Sequence, residues 1–510
     1  MKKKNVIILH TDQQRYDSLG CSGNPLARTP HIDALASDGA AFSRHIAANP
    51  VCMPSRASLL TGLYVPGHRV TNNGIPLWRR TTGRTGNEQH QAVEDLIGSR
   101  VRGHVPTLAD RLTDAGYYTS LMGKLHLEPH LADDRFEFTE AYNSWKNPEM
   151  EYWKGPYYGF QKVQLILGHG EAPCGYNRGH YGRWLLKNHP EAEEMVKPRQ
   201  DADTMSSSDR GDIYLSKLPS ELHHSLWLAD EACKEIDAAA DRDEPMFLFV
   251  GFPDPHHPFT PPEDAAQDFL DLECPEFSVR DERCEQKPSI VQETLKRNRA
   301  SERDIETAYR YTAASVTLID KAVGQITERL KEKGMYEDTI IIFTSDHGDF
   351  LGDFEMLAKD NLPFNALVHV PFILKPAGPS DLPKQIGTPM SNTDVVPTLM
   401  AMLGLDIPED IQGIDIFSDD AEQNHPLCHC YGHHESKKNL TVYDERYRYT
   451  FFPLTGEEEL YDHQNDLKEE NNLAFEPDET TKTILQEKRT EVLEQHACLE
   501  TGIYNLYSLW

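Results

Sequence analysis

Four apolar runs in this chain each end in a cluster of ionisable residues, and that pattern constrains the fold more than any other feature. Val6–Thr11 is an apolar run bounded by polar residues, as expected of a strand buried on both faces. Tyr117–Met122, Met246–Phe252 and Thr339–Thr344 repeat the pattern, and Val368–Leu374 is a fifth candidate strand. Between them, Pro106–Ala115 reads as a helix stopped by Gly116. Ile305–Lys333 carries apolar residues at helical spacing and ends at Gly334. Strands alternating with long helices predict an α/β fold, with a large, mostly parallel sheet sandwiched by helices.

The pattern changes after about residue 420. Short strand-like pieces (Leu440–Tyr443, Arg446–Phe452) precede a charged helix near Thr480–His496. The expected organisation is a catalytic domain over 1–420, with irregular insertions at about 130–230 and 260–305, and a small C-terminal α+β subdomain over 421–510. The stretch Asp201–Asp212 is polar enough to be mobile.

Charge narrows the function. The 82 acidic residues against 51 basic ones leave a net charge of −31, which disfavours nucleic-acid and anionic-membrane partners. No apolar run reaches the roughly 18 residues of a spanning helix. The basic start is followed by too short an apolar stretch for a secretory signal, so a cytoplasmic setting is expected. Nine scattered cysteines give no disulfide framework.

The strand ends carry the chemistry. The four runs lead into Asp12-Gln13, Lys124-Leu125-His126, Asp254-Pro255-His256-His257 and Asp346-His347. Ligands of open α/β sheets bind beyond the carboxyl ends of the strands. Asp12, Gln13 and Asp346 offer hard oxygens and His347 an imidazole, a set suited to Ca²⁺, Mg²⁺ or Mn²⁺. Lys124, His126, His256 and Lys359 are cations or proton donors, a local positive cluster that would focus a small anion in an acidic body. Cys52 stands just before an expected helix with Pro54 in its first turn, where backbone N–H groups favour negative charge, and Arg56 lies one turn on. Cys52 thus reads as a poised nucleophile in an anion site.

Cys52-Met53-Pro54-Ser55-Arg56 followed by Leu59-Leu60-Thr61-Gly62 resembles the signature of the sulfatase family, within the alkaline phosphatase superfamily. The resemblance extends over nearly the whole chain, through Thr29-Pro30-His31-Ile32-Asp33, Gly123-Lys124-Leu125-His126, Pro255-His256-His257-Pro258, Asp346-His347-Gly348-Asp349, Lys359 and Glu459-Leu460-Tyr461-Asp462. It implies an alkaline phosphatase-like fold. It also implies that a maturation enzyme oxidises Cys52 to formylglycine (3-oxoalanine), whose hydrate is a geminal diol. One diol oxygen would attack sulfur and displace the alcohol; the other would then re-form the aldehyde and expel sulfate. By the same resemblance, Asp12, Asp346 and His347 hold one divalent cation with an oxygen of residue 52. Arg56 and Lys124 hold the diol, His126 takes the elimination proton, and His256 and Lys359 bind the sulfate and the bridging oxygen. The implied substrate is a small organic or carbohydrate sulfate ester.

Two departures matter. Gln13 and His347 stand where many members have aspartate and asparagine, as in the branch similar to choline sulfatases and phosphonate monoester hydrolases. Gln13 ligates weakly or not at all, and an imidazole ligand makes Mn²⁺ competitive with Ca²⁺, which ranks first. Phosphonate monoester or phosphodiester hydrolysis at the same site is the alternative activity, and a non-catalytic binder of sulfated ligands is the remaining one. Asn73 reads either as a polar site residue of that branch or as a turn asparagine. Glu151–Tyr158 is aromatic enough to stack on a sugar or to plug a loop onto the sheet edge. Cys428-His429-Cys430 with His433 and His434 fits a strand better than a zinc site, His68 suits a turn near the nucleophile, and Tyr507–Trp510 is an apolar tail.

Overall fold

The computed structural model describes residues 4–79, 105–133, 136, 138–169, 178–196, 211–297, 299–431 and 438–504. Strands β1 (Asn5–Asp12), β2 (Ala40–Phe42), β3 (Tyr118–Gly123), β4 (Lys162–Leu165), β5 (Met246–Pro255), β6 (Thr339–Ser345), β7 (Phe372–Lys375) and β8 (Gln385–Ile386) form one eight-stranded sheet. Their order is β4-β3-β5-β1-β6-β7-β2-β8. All pairs are parallel except those made by β7, which runs against β6 and β2.

Residue parity explains the two covered faces. On β1, Val6 and Ile8 point to one side and Ile7 and Leu9 to the other, and all four are buried. The first side packs against helices α1 (Cys52–Thr61) and α2 (Leu108–Asp114) through Met53, Leu59, Leu60, Leu108 and Leu112. The second packs against α3 (His224–Ala240) and α4 (Glu302–Glu332) through Trp227, Leu228, Val316, Ile319, Val323 and Ile326. Their starts follow capping chemistry: Thr107 and Asp110 form a reciprocal capping box at α2, and Ser301 accepts the Asp304 N–H at α4.

Two expectations change. Val368 ends a helical turn (Asn365–Val368), and the strand is Phe372–Lys375, because Pro371 has no N–H to give a ladder. The segment 130–230 is more than an insertion: β4 lies within it and forms the edge of the main sheet, pairing with β3. The expected mobile stretch 201–212 lies outside the described residues apart from its last two.

The C-terminal subdomain is a four-stranded antiparallel meander, β9 (Leu427–Cys430), β10 (Asn439–Tyr443), β11 (Tyr447–Phe452) and β12 (Glu457–Asp462). Helix α5 (Glu479–Tyr504) covers it through Leu485 and Val492. The tail 507–510 and residues 433–434 lie outside the described residues. No described helix is long and apolar enough to cross a membrane.

Candidate active site

Adjacent parallel strands bring their ends together. Asp12 pairs with Pro255 of β5, and Thr11 pairs with Ser345 of β6, so Asp12, His256, Asp346 and His347 converge at one edge of the sheet. Lys124 joins them because β3 and β5 pair in parallel up to Gly123 and Gly251 and approach closely there. A Cβ on Gly123 would lie 2.1 Å from the Gly251 carbonyl oxygen, and one on Gly251 would lie 2.0 Å from that of Lys124. Only glycine allows this approach, and Gly123 also has φ +100.

Cys52 is the first residue of α1, one position further into the helix than the sequence suggests, with Val51 as its extended N-cap. All ten residues of α1 are buried. Asn73 Oδ1 accepts the Met53 N–H at 3.0 Å, so Asn73 caps the helix carrying Cys52 and is more than a turn residue. His68 sits behind the helix, 2.9 Å from Ser58 Oγ.

The expected groups surround Cys52. Its Sγ lies 3.1 Å from Lys359 Nζ, 3.2 Å from His347 Nε2 and 3.8 Å from Asp12 Oδ1. Arg56, fully buried, donates from Nε to Asp346 at 2.8 Å and from NH2 to Asp12 at 2.9 Å. Lys124 Nζ reaches Asp12 Oδ2 at 2.6 Å. Lys359 Nζ donates to His256 Nε2 at 2.8 Å and to His347 Nε2 at 3.0 Å.

Electrostatics follow from this packing. Burial alone would raise the Asp12 carboxyl, but Lys124, Arg56 and Lys359 hold it well below the usual range. Burial, then the stacked His169 and Lys359, keep His256 neutral. Burial, then His130 and Lys124, do the same for His126. Burial and Asp12 push the Cys52 thiol up, yet Lys359 and His347 turn the balance and leave it below its ordinary value.

The donor set fits a cation. Asp12, Cys52, His256 and His347 each present a ligand atom within 4.8 Å of the others. His347 Nδ1 donates to the Gly348 carbonyl at 2.9 Å, so its Nε2 lone pair faces inward. Asp346 Oδ1 lies 3.6 Å from that nitrogen. Gln13 differs from these groups. Its backbone has φ 65, its N–H donates to Asp346 Oδ1 at 3.0 Å, and its amide is held by Asp349 and His257. Its Oε1 still reaches Lys359 Nζ at 3.4 Å.

His126 sits at the margin. Its N–H donates to Glu140 Oε1 at 2.6 Å and its ring stacks on His130 at 3.9 Å. Among the described residues its Nδ1 is buried without a partner. Sequence reasoning missed His169, which lies 3.1 Å from Lys124 and stacks on His256. Its signal is the same as for the other groups, a polar residue beyond a strand end, but here the strand is β4.

A second buried cluster joins His223, His224 and Asp254. His223 Nδ1 accepts the Ser225 N–H at 3.3 Å, and its Nε2 lies 3.4 Å from Asp254 Oδ2. The Glu151–Tyr158 aromatics divide: Tyr158 donates to the Leu77 carbonyl at 2.8 Å and plugs its loop, while Tyr152 is 80% exposed. An apolar cavity of about 600 Å³ lined by Tyr16, Phe277, Tyr309 and Phe354 holds none of the residues around Cys52, so size alone does not mark the reactive centre. Cys428 and Cys430 lie on β9 as the alternation suggests.

The family model described as Sulfatase matches residues 4–405, and one described as N-sulphoglucosamine sulphohydrolase, C-terminal, matches 353–497. An arylsulfatase of Clostridium perfringens is 27% identical over 502 residues, covering 92% of this chain and 90% of that protein. A choline-sulfatase of Rhizobium meliloti is 25% identical over 521 residues, covering 96% and 86%. The crystal structure of phosphonate monoester hydrolase of Agrobacterium radiobacter aligns with a TM-score of 0.73 at 25% identity, covering 98% of this chain and 96% of that one.

Proposed function

The chain belongs to the sulfatase family of the alkaline phosphatase superfamily, and from that premise we propose that it is a formylglycine-dependent sulfuric ester hydrolase acting on a small organic or carbohydrate sulfate ester. One observation carries this reading: the Cys52 side chain stands between Lys359 and His347, over Asp12. The thiol sulfur marks the place of an oxygen of the hydrated aldehyde. A thiol has no second oxygen with which to release its sulfate ester, so conversion by a maturation enzyme is part of the reading.

A divalent cation held by Asp12, Asp346, His347 and an oxygen of residue 52, Ca²⁺ before Mn²⁺ or Mg²⁺, would polarise the sulfuryl oxygens and the nucleophile. Arg56 is locked by both carboxylates and keeps them facing residue 52. Lys124 orients the diol. One diol oxygen, its proton released to solvent, attacks sulfur, the bond from sulfur to the alcohol oxygen breaks, and the alkoxide takes its proton from Lys359, which solvent reprotonates. His256 accepts a hydrogen bond from that ammonium and so aims it. Neutral His126 then takes the proton of the remaining hydroxyl. The bond from the residue 52 carbon to the sulfate oxygen breaks, the aldehyde re-forms and sulfate dianion leaves, with the proton held on His126 until it passes to solvent. Water restores the diol.

The test has three readings on protein coexpressed with a formylglycine-generating enzyme. The peptide containing residue 52 is expected to carry the aldehyde mass, and an unmodified thiol in fully active protein would refute the mechanism. Sulfated monosaccharides, choline sulfate and aryl sulfates are expected to release sulfate. Chelation is expected to abolish release, with Ca²⁺ restoring more of it than Mn²⁺.

Gln13 and His347, with the likeness to a phosphonate monoester hydrolase, favour a second reading in which the same site cleaves phosphonate monoesters or phosphodiesters. Comparing kcat/KM for nitrophenyl sulfate and a phenyl phosphonate ester decides between them. A large phosphonate preference removes the first.

A further inference from the structure

We propose that His169 is a positioning residue of this reaction, fixing the Lys124 ammonium through Nδ1 and the plane of the His256 ring by stacking. The inference deepens the hydrolase reading above and rests on it. An ammonium has three hydrogens on a freely rotating head. Asp12 Oδ2 takes one at 2.6 Å and His169 Nδ1 takes a second at 3.1 Å. Their two directions set the third, which is left for the nucleophile or a sulfuryl oxygen. Without His169 the head would turn about its single contact with Asp12.

The other half of the role is steric. The His169 and His256 rings are parallel within 9° and their centroids are 3.5 Å apart. His256 Nδ1 also donates to the His257 carbonyl. One edge and one face of His256 are thus held, and its Nε2 is directed at Lys359 Nζ. Lys124 and His256 are buried, whereas His169 is part-exposed, so it walls the cluster on the solvent side. Because Nδ1 accepts from Lys124, the ring proton resides on Nε2, and the hydrogen bond requires the neutral ring.

The two contacts predict separable effects. Lys124 serves the nucleophile and acts on every substrate alike, whereas His256 serves the leaving group and matters most when that group is poor. H169A removes both contacts, H169Q keeps an acceptor without the ring, and H169F keeps the ring without the acceptor. With matured, metal-loaded protein, H169A is expected to lower kcat on nitrophenyl sulfate roughly 10- to 100-fold, with KM nearly unchanged. Its loss is expected to be greater on an alkyl sulfate. H169Q should recover most of the nitrophenyl rate and keep the extra alkyl deficit. H169F should lose rate equally on both substrates.

Wild-type kcat on both substrates in H169A overturns the inference, as does an equal loss on both substrates in all three variants, which marks a merely structural residue. Should H169A not fold, the opposite substrate patterns of H169Q and H169F still decide. Absence of ester hydrolysis by the unsubstituted protein in the same assay overturns the hydrolase reading itself, and this inference with it.

Discussion

Arg56 and Arg448 are both fully buried among carboxylates, yet their surroundings differ in one respect. Around Arg56, three cations (Arg56, Lys124, Lys359) face two carboxylates (Asp12, Asp346). Around Arg448, two cations (Arg448, Lys287) face two carboxylates (Glu459, Glu469). Arg448 reaches Glu459 at 3.1 Å, Glu469 at 2.8 Å and the Pro363 carbonyl at 3.0 Å. Lys287 donates to Tyr461 Oη at 2.7 Å and to the Glu469 carbonyl at 2.6 Å. Charges taken out of water are costly unless compensated. The C-terminal cluster compensates itself and serves the fold. The cluster at Cys52 is left positive, and the missing negative charge is what an anionic ester supplies. The balanced cluster also supports the other one. Pro363 and Asn365, both bonded to it, follow Lys359 closely in the chain, and Asn439 donates to the Asn361 carbonyl at 3.2 Å.

The largest effect separates the two clusters directly. In metal-loaded protein, K359M is expected to lower kcat/KM at least about 10³-fold, because the proposed mechanism aims that charge at the developing alkoxide. Its thermal midpoint should stay at or above that of the unsubstituted protein, since a surplus cation has gone. A large fall in that midpoint would show that Lys359 holds the fold and would erase the contrast.

R448M tests the other side. It leaves Glu459 and Glu469 buried without their main partner, and unfolding in denaturant should show a loss of about 3–5 kcal/mol. The kcat of the remaining folded protein should fall only a few-fold, through the loosened Lys359 segment. A cost no larger than about 0.5 kcal/mol, the level of a neutral surface change, would mean that the balanced cluster contributes nothing to the fold.

The sequence exposed the Cys52 centre because buried parallel strands read as uninterrupted apolar runs, and their ends point to the site. Met246–Phe252 and Thr339–Thr344 needed no further information. β4 reads Lys-Val-Gln-Leu, half polar and on the sheet edge, so its period is hidden in an irregular segment and His169 was lost with it. β12 begins with three glutamates and is no more visible, although its buried Glu459 is half of the C-terminal balance. Asn73 is marked by the resemblance and by its place before Gly74, but its capping role depends on a contact 20 residues away and is not legible locally. Charge balance itself is a property of three-dimensional neighbours, and no window of sequence reports it.

A carboxyl pair beside the site offers a pH test of the same principle. Glu140 accepts the N–H groups of His126, Leu127 and Glu128, and Glu128 sits against it. Burial first, and the charge of Glu140 second, raise Glu128 from 4.5 to about 8. Its folded value exceeds its unfolded one, so the folded protein keeps a proton that the unfolded chain releases. The stability contribution is full at acid pH and is lost as pH rises from 4.5 through about 8. E128Q stays neutral and escapes that loss. Between neutral and mildly alkaline pH, its unfolding free energy should gain up to about 2 kcal/mol on the unsubstituted protein. A difference that does not change with pH would place the proton elsewhere.

The smallest expected effect asks whether the positive excess reaches the end of α1. Asn73 gives the Met53 N–H its acceptor, 3.0 Å away and next to Cys52. N73A leaves that donor unpaired and should cost about 1 kcal/mol of stability, as for a lost helix cap. It should reduce kcat a few-fold, with KM unchanged, because the charge seen by the substrate is the same. N73D keeps the acceptor and adds a negative charge at the helix start, where the backbone dipoles favour it. Its stability should match or exceed that of the unsubstituted protein, while KM for a sulfate ester rises, because the added carboxylate offsets part of the excess that draws the anion in. Thermal unfolding and steady-state kinetics on the two variants separate the cap from the charge. If N73D leaves KM unchanged at low ionic strength, the positive excess does not extend to this end of the helix, and the charge that draws the anion in lies with Lys124 and Lys359.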